Sequence, residues 1–293
     1  MIPLTRAASP QAIDLGPFKL LLTSDLPSVH RAVDFFYHRQ RVNDTDGFFD
    51  FHVRLTRSGG VRSIFRPQAR FFLDGSSPFK PLPLVQAYPL LEWGLNWCIA
   101  QHAHHFLMVH AAVVERGGSA LVMPGAPGAG KSTLTAAMAL SGWRLLSDEF
   151  ALVSLQDGLL TPLPRPVSLK NAAIDLIQER YPHAVLGPKT HDTTKGTVAH
   201  LKQPDNCIDG AAIRPAPRWL VFPRYDPGAA DVLTPLSKGR ALLKLGEASF
   251  NYSVLGESGF RAAADLVEQC DCFELVYGHL DTSLQQLDGL RVE

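Results

Sequence analysis

Gly125-Ala126-Pro127-Gly128-Ala129-Gly130-Lys131-Ser132 fills every fixed position of the pattern G-x-x-x-x-G-K-[ST], and its flanks supply the setting that the pattern requires. Before it, residues 120–123 form a compact apolar run that reads as a strand. After it, residues 131–140 read as a helix ended by Gly142. Glycines let such a loop curl until successive backbone N–H groups point inward, and the positive end of the following helix adds to the attraction for an anion. The residues expected to hold phosphate are therefore Gly125, Ala126, Pro127, Gly128, Ala129, Gly130, Lys131, Ser132 and Thr133. Lys131 is expected to reach the outer phosphates of ATP, and the Ser132 hydroxyl to complete the coordination of Mg²⁺, which prefers oxygen ligands.

Working outward, residues 107–115 and 120–123 are joined by the turn Arg116-Gly117-Gly118 and read as strands of a buried sheet. Residues 143–147 form the next strand, which closes on Ser147-Asp148-Glu149. A right-handed strand-helix-strand crossover brings the carboxyl ends of both strands to one sheet edge, so Asp148 is expected beside the phosphates. Two adjacent carboxylates are then available, one to hold Mg²⁺ and one to accept the proton of an attacking hydroxyl.

Further along, residues 150–155 and 159–161 flank the hairpin signal Gln156-Asp157-Gly158, and Pro162 to Pro166 reads as irregular. Helices are expected over residues 171–179, 238–248 and 259–270, and strands over 198–201, 219–222 and 273–277. That leaves 182–195 and 203–217 as polar, proline-bearing loops. On the N-terminal side, apolar Phe49, Phe51, Val53 and Leu55 alternate with polar residues, the period-two signature of a half-buried strand. A second run to Phe65 and a third over 69–73 complete an expected antiparallel meander, so residues 1–83 read as a small α+β unit. Residues 84–106, carrying Leu90, Leu91, Trp93, Leu95, Trp97 and Ile99, read as a bridging helix buried on most sides, and residues 107–293 as an α/β domain around the glycine-rich loop.

Composition narrows the function. With 46% hydrophobic residues the chain can bury a sizeable core, and 28 basic residues against 28 acidic ones leave no general field for nucleic acid or an anionic membrane surface. No apolar run approaches the roughly 18 residues that span a bilayer, and the first residues lack the apolar core of a secretory signal, so the expected location is the cytoplasm. Cys98, Cys207, Cys270 and Cys272 are too few and scattered for a disulfide framework and read as reduced thiols. His102, His104 and His105 are crowded without an acidic or thiol partner at ligand spacing, which argues against a zinc site. Phosphoryl transfer needs cations to offset charge on the equatorial oxygens, and Arg165, Lys170 and Lys195 are the candidates downstream of the acids, with His200 as a further residue for the same cleft.

The run from Val109 to Phe150, about a seventh of the chain, resembles the catalytic core of HPr kinase/phosphorylase, whose kinase fold is related to phosphoenolpyruvate carboxykinase. Val109-His110-Ala111, the loop and Arg144-Leu145-Leu146-Ser147-Asp148-Glu149 stand for that family's strand, phosphate loop and acidic pair. The compact length, Arg165-Pro166-Val167-Ser168-Leu169-Lys170 and Thr194-Lys195-Gly196-Thr197-Val198-Ala199-His200 are similar to the HPr kinase-related kinase A group. The resemblance implies a P-loop kinase core with a small N-terminal α+β domain. It makes Asp148 the general base toward a substrate hydroxyl, Glu149 a magnesium ligand or helper, and His110 a partner that orients the acids or senses the γ-phosphate. Lys131, Lys170 and Lys195 would serve transfer, and Arg165 and His200 would face substrate. Glu149 in place of a second Asp and Ala111 in place of a Gly put the reverse phosphorylase reaction in doubt. The absence of the parent family's glycine-rich signature after the acids leaves recognition of HPr itself unsupported. The expected acceptor is a serine on a peptide or protein. A small-molecule kinase and a nucleotide-dependent regulatory or assembly module are the alternatives, and self-association into a homo-oligomer stays open.

Overall fold

A computed structural model describes residues 9–60 and 65–290. The chain divides into two compact units, Met1–Gln101 with Gly187–Ala199, and His102–Leu186 with His200–Glu293. The helix read as a bridge over residues 84–106 lies almost wholly in the first unit, which also takes residues 187–199 from the middle of the chain.

The first unit is built on strands β1 (Gln11–Asp14), β2 (Lys19–Ser24), β3 (Arg41–Val42), β4 (Phe51–Arg57), β5 (Gln68–Leu73) and β6 (Leu82–Pro83), with helices α1 (Pro27–Tyr37) and α2 (Ala87–His102). Its sheet runs β3-β1-β2-β4-β5-β6. Along β4, Phe51, Val53 and Leu55 are buried while His52 and Arg54 are exposed, as the alternation predicts. The expected meander is a smaller part of a larger mixed sheet. Strand β4 pairs antiparallel with β5 and parallel with β2, the crossover passing through α1. The second run expected up to Phe65 falls largely on residues 61–64, outside the described residues. Helix α2 buries Leu90, Leu91, Leu95 and Ile99, and its buried Glu92 accepts a hydrogen bond from the Tyr37 hydroxyl at 2.8 Å.

The second unit opens with β7 (Phe106–Arg116), β8 (Ser119–Pro124), α3 (Lys131–Leu140), β9 (Arg144–Ser147), β10 (Phe150–Ser154), β11 (Leu160–Thr161), β12 (Val167–Lys170) and α4 (Ala172–Arg180). Residues 187–199 belong to the first unit and carry β13 (Thr190–Thr193) and most of its hairpin partner β14 (Gly196–Leu201). The chain then completes the second with α5 (Asp205–Asp209), β15 (Ala216–Tyr225), β16 (Val232–Pro235), α6 (Lys238–Glu247), α7 (Tyr252–Leu255), α8 (Glu257–Gln269), β17 (Asp271–Tyr277) and α9 (Leu280–Asp288). Strand β13 and helix α5 fall where polar loops were expected; both are too short and too polar to leave a periodic signal.

The large sheet runs β11-β10-β7-β8-β15-β17-β16, with β9 also paired to β7. Strand β7 is antiparallel to β8, β9 and β10, whereas β15 is parallel to both β8 and β17. Strands β8, β9, β15 and β17 therefore point the same way, and their carboxyl ends share one edge of the sheet. Helices α6 and α8 cover one face, where Ala241, Leu245, Ala263 and Leu266 join Val109, Val113, Val122 and Leu220 in one apolar core. The fold is mixed α/β. Among the described residues no helix is long and apolar enough to cross a membrane.

Candidate active site

The glycine-rich loop leaves β8 at Pro124 and enters α3 at Lys131. Gly128 and Gly130 sit at φ 88° and 89°, a left-handed backbone that a side chain strains. Gly130 has a second reason to lack a side chain. The Tyr277 hydroxyl donates a 3.0 Å hydrogen bond to its carbonyl and occupies the space where a Cβ would stand. Tyr225 N–H donates to the Ala129 carbonyl at 3.2 Å, so the ends of β15 and β17 together hold the second half of the loop.

Lys131 is buried, and its ammonium donates to the carbonyls of Gly125 and Ala126, folded back over its own loop. Burial pulls its pKa down, against the charges of Glu149 and Asp148 that raise it, and Lys170 adds to the lowering. Both acids and Lys170 therefore lie within electrostatic reach of the loop lysine.

Strand β9 ends in a turn held by Ser147, whose hydroxyl accepts from the N–H groups of Glu149 at 3.4 Å and Phe150 at 3.1 Å. This turn lets adjacent acids take different partners inside one site. Asp148 is 6% exposed, it accepts a hydrogen bond from Ser168 N–H at 3.2 Å, and the nearby Ser132 hydroxyl favours its charged form. Its other oxygen, Oδ1, is buried and has no hydrogen-bond partner among the described residues. Burial first, then the charge of Glu149, push its pKa up to about 7, although Ser132, Lys170 and Ser168 all favour the charged form. Glu149 Oε2 lies 3.4 Å from Nε2 of His110. His110 sits on β7 opposite Phe150, and its carbonyl accepts from Gly125 N–H at 3.3 Å, which ties it to the first residue of the loop.

The structure thus brings together Lys131, Ser132, Asp148, Glu149, His110 and Lys170. Arg165 and His200 are buried in the same unit. Lys195 belongs to the first unit, where its ammonium stands 5.3 Å from the centre of the Trp93 ring. The oxygen set of Ser132, Asp148 and Glu149 suits a hard divalent cation, and the orphaned Asp148 Oδ1 is the atom most in need of one. Among the described residues no cluster of three or more His, Cys, Asp or Glu side chains exists that would cage a metal without help.

Sequence reasoning gave no site role to Ser168, Tyr225, Tyr277 or Phe250. Beside the loop lies a cavity of about 770 Å³, walled by the first half of the loop, the ends of β15 and β17, the last turn of α6 and the segment Ala248–Phe250. Two ion pairs lie along its walls, Lys244 with Glu274 at 2.8 Å and Arg224 with Asp226 at 2.9 Å. The only foreshadowing of this cavity in the sequence is the general tendency of α/β sheets to bind ligands at strand carboxyl ends. No protein-family model matches the chain, and no curated protein matches it.

Proposed function

We propose that this chain is an ATP-dependent kinase that moves the γ-phosphoryl group to a hydroxyl, with a serine of a peptide or protein as acceptor, on a P-loop core of the HPr kinase type. The observation that supports this reading is that the Ser132 hydroxyl in the loop lies near enough to the buried Asp148 at the end of β9 to favour its charged form. In this reading a residue for the metal–phosphate complex stands beside the acid for the acceptor, the juxtaposition in-line transfer needs.

Ser132, Asp148 and Glu149 would hold Mg²⁺, which would supply charge neutralisation for the phosphates. The backbone N–H groups of the loop bind the phosphate chain, and Lys131 exchanges its two carbonyls for phosphate oxygens. The acceptor oxygen bonds to the γ-phosphorus as the bond to the β-bridging oxygen breaks, and the hydroxyl proton passes to Asp148. Burial of Asp148 favours the protonated carboxyl with which this step ends. His110 holds Glu149 in orientation, and Lys170 offsets negative charge around Asp148.

Incubation of the protein with γ-labelled ATP and a cell lysate should transfer label to a polypeptide and leave it on serine. Asp148→Asn should lower that transfer by about 100-fold or more while ATP still binds. Turnover that survives this substitution would rule out the kinase reading and favour a nucleotide-dependent switch.

A further inference from the structure

We propose that Tyr277 is a positioning residue for phosphate binding: from outside the glycine-rich motif, its hydroxyl fixes the direction in which the second half of the loop presents its N–H groups. This inference rests on the nucleotide reading above and adds the residue that readies the loop for its ligand.

The donors of the loop supply the first argument. Gly125 N–H is taken by the His110 carbonyl and Ala129 N–H by the Ala126 carbonyl, and Pro127 has no N–H to give. In the second half of the loop an anion therefore meets the N–H groups of Gly130 and Lys131 first. In a planar trans peptide an N–H points opposite to the carbonyl of the residue before it. The Ala129 carbonyl is tied to Tyr225 N–H at 3.2 Å, and the Gly130 carbonyl to the Tyr277 hydroxyl at 3.0 Å. With both carbonyls drawn toward β15 and β17, the two N–H groups that follow them are turned away from those strands. Adjacent donors held this way make a nest for an anion before any anion arrives. The Gly130 carbonyl also accepts from Leu134 N–H at 3.2 Å, the first bond of α3, so the Tyr277 hydroxyl bears on the joint where loop becomes helix.

The anchor itself supplies the second. Tyr277 is 2% exposed, its carbonyl accepts from Asp226 N–H at 2.8 Å, and the next N–H, that of Gly278, donates to Asp231 Oδ1 at 2.6 Å. A Cβ on Gly278 would stand 2.9 Å from the Asp226 carbonyl oxygen and 3.0 Å from that of Ala229, so the main chain just past the ring is closely packed. Burial, then the neighbouring Tyr225 and Asp231, raise the pKa of the hydroxyl, which keeps the proton it donates. A phenylalanine would fill the same space against Gly130. What the tyrosine adds is the bond.

Calorimetric titration of the full chain with inorganic tripolyphosphate reads the loop alone, and titration with Mg²⁺–ATP reads the loop together with the rest of the nucleotide. Tyr277→Phe should weaken both probes alike, by about fivefold, the scale of one neutral hydrogen bond, and should melt within about 5 °C of the parent. Hydrogen exchange without ligand should quicken over residues 125–133 and stay unchanged over 271–277. Tyr37→Phe deletes another buried tyrosine hydroxyl, the one bonded to Glu92 in the first unit, and should bind tripolyphosphate as the parent does. The inference is overturned if Tyr277→Phe binds tripolyphosphate as tightly as the parent, if it weakens ATP alone, if it leaves exchange in the loop unchanged, if Tyr37→Phe weakens tripolyphosphate equally, or if Tyr277→Phe cannot fold, which would place the hydroxyl in the foundation of the sheet. A parent protein that binds neither probe overturns the nucleotide reading itself, so the two failures are told apart.

Discussion

At Asp148 two effects of opposite sign meet, and their balance is measurable. Three groups favour its charge, yet burial and the neighbouring Glu149 prevail and raise its pKa to about 7. A carboxyl raised on folding binds its proton more firmly in the native chain than in the unfolded one. The stability that this proton contributes is complete below the unfolded value of 3.8 and is lost as pH rises through about 7. Asp148→Asn keeps an oxygen for Ser168 N–H but cannot ionise. Without nucleotide or Mg²⁺ it should melt above the parent at pH 8, by about 3 °C or more, and the margin should shrink as pH falls to 5. A margin that stays constant with pH would show that the carboxyl is not held neutral. Asp148 and Lys131 are legible in the sequence because their neighbours in the chain fix their surroundings. Tyr277 is not, since its bond to Gly130 joins residues 147 positions apart and no local pattern announces it.

Where β8 turns off into the loop, β7 would lose its neighbour along residues 106–110. The segment from Ala248 to Asn251 takes that place. Ala248 accepts from His110 N–H and Phe250 donates to the Met108 carbonyl, both at 2.8 Å. The buried Asn251 side chain finishes the edge, accepting from Met108 N–H at 2.9 Å and donating to the Phe106 carbonyl at 2.8 Å. Asn251→Ala orphans two buried backbone groups and should cost about 2–4 kcal/mol, read as a lower urea midpoint with an unchanged slope. An unchanged midpoint would mean that water repairs the edge. Elements with a strong period or a sharp stop are read with near-correct bounds, as helix α3 is, coinciding with residues 131–140. This four-residue substitute for a strand has neither, and it is fixed by the end of α6 and by what β7 leaves unpaired.

On the scale of the whole chain, the sequence passes between the two compact units three times, after residues 101, 186 and 199. The first unit is therefore not a continuous stretch that can be cut away. A truncation beginning at residue 84 strips α2 of its sheet and exposes Leu90, Leu91, Leu95 and Ile99 together. It should aggregate on size-exclusion chromatography, whereas the full chain elutes as a defined species; a well-behaved fragment would show that the second unit carries α2 unaided. The alternation in β4 announces a sheet there, but the mixed order of its strands is set by pairing over long separations, which composition and periodicity do not encode. The back-folded ammonium of Lys131 has one more consequence. Because it already rests on two carbonyls, an incoming anion is chosen by competition: the recorded affinity is the difference between two oxygen cages, and an anion that solvates a cation no better than a peptide group is turned away at the door.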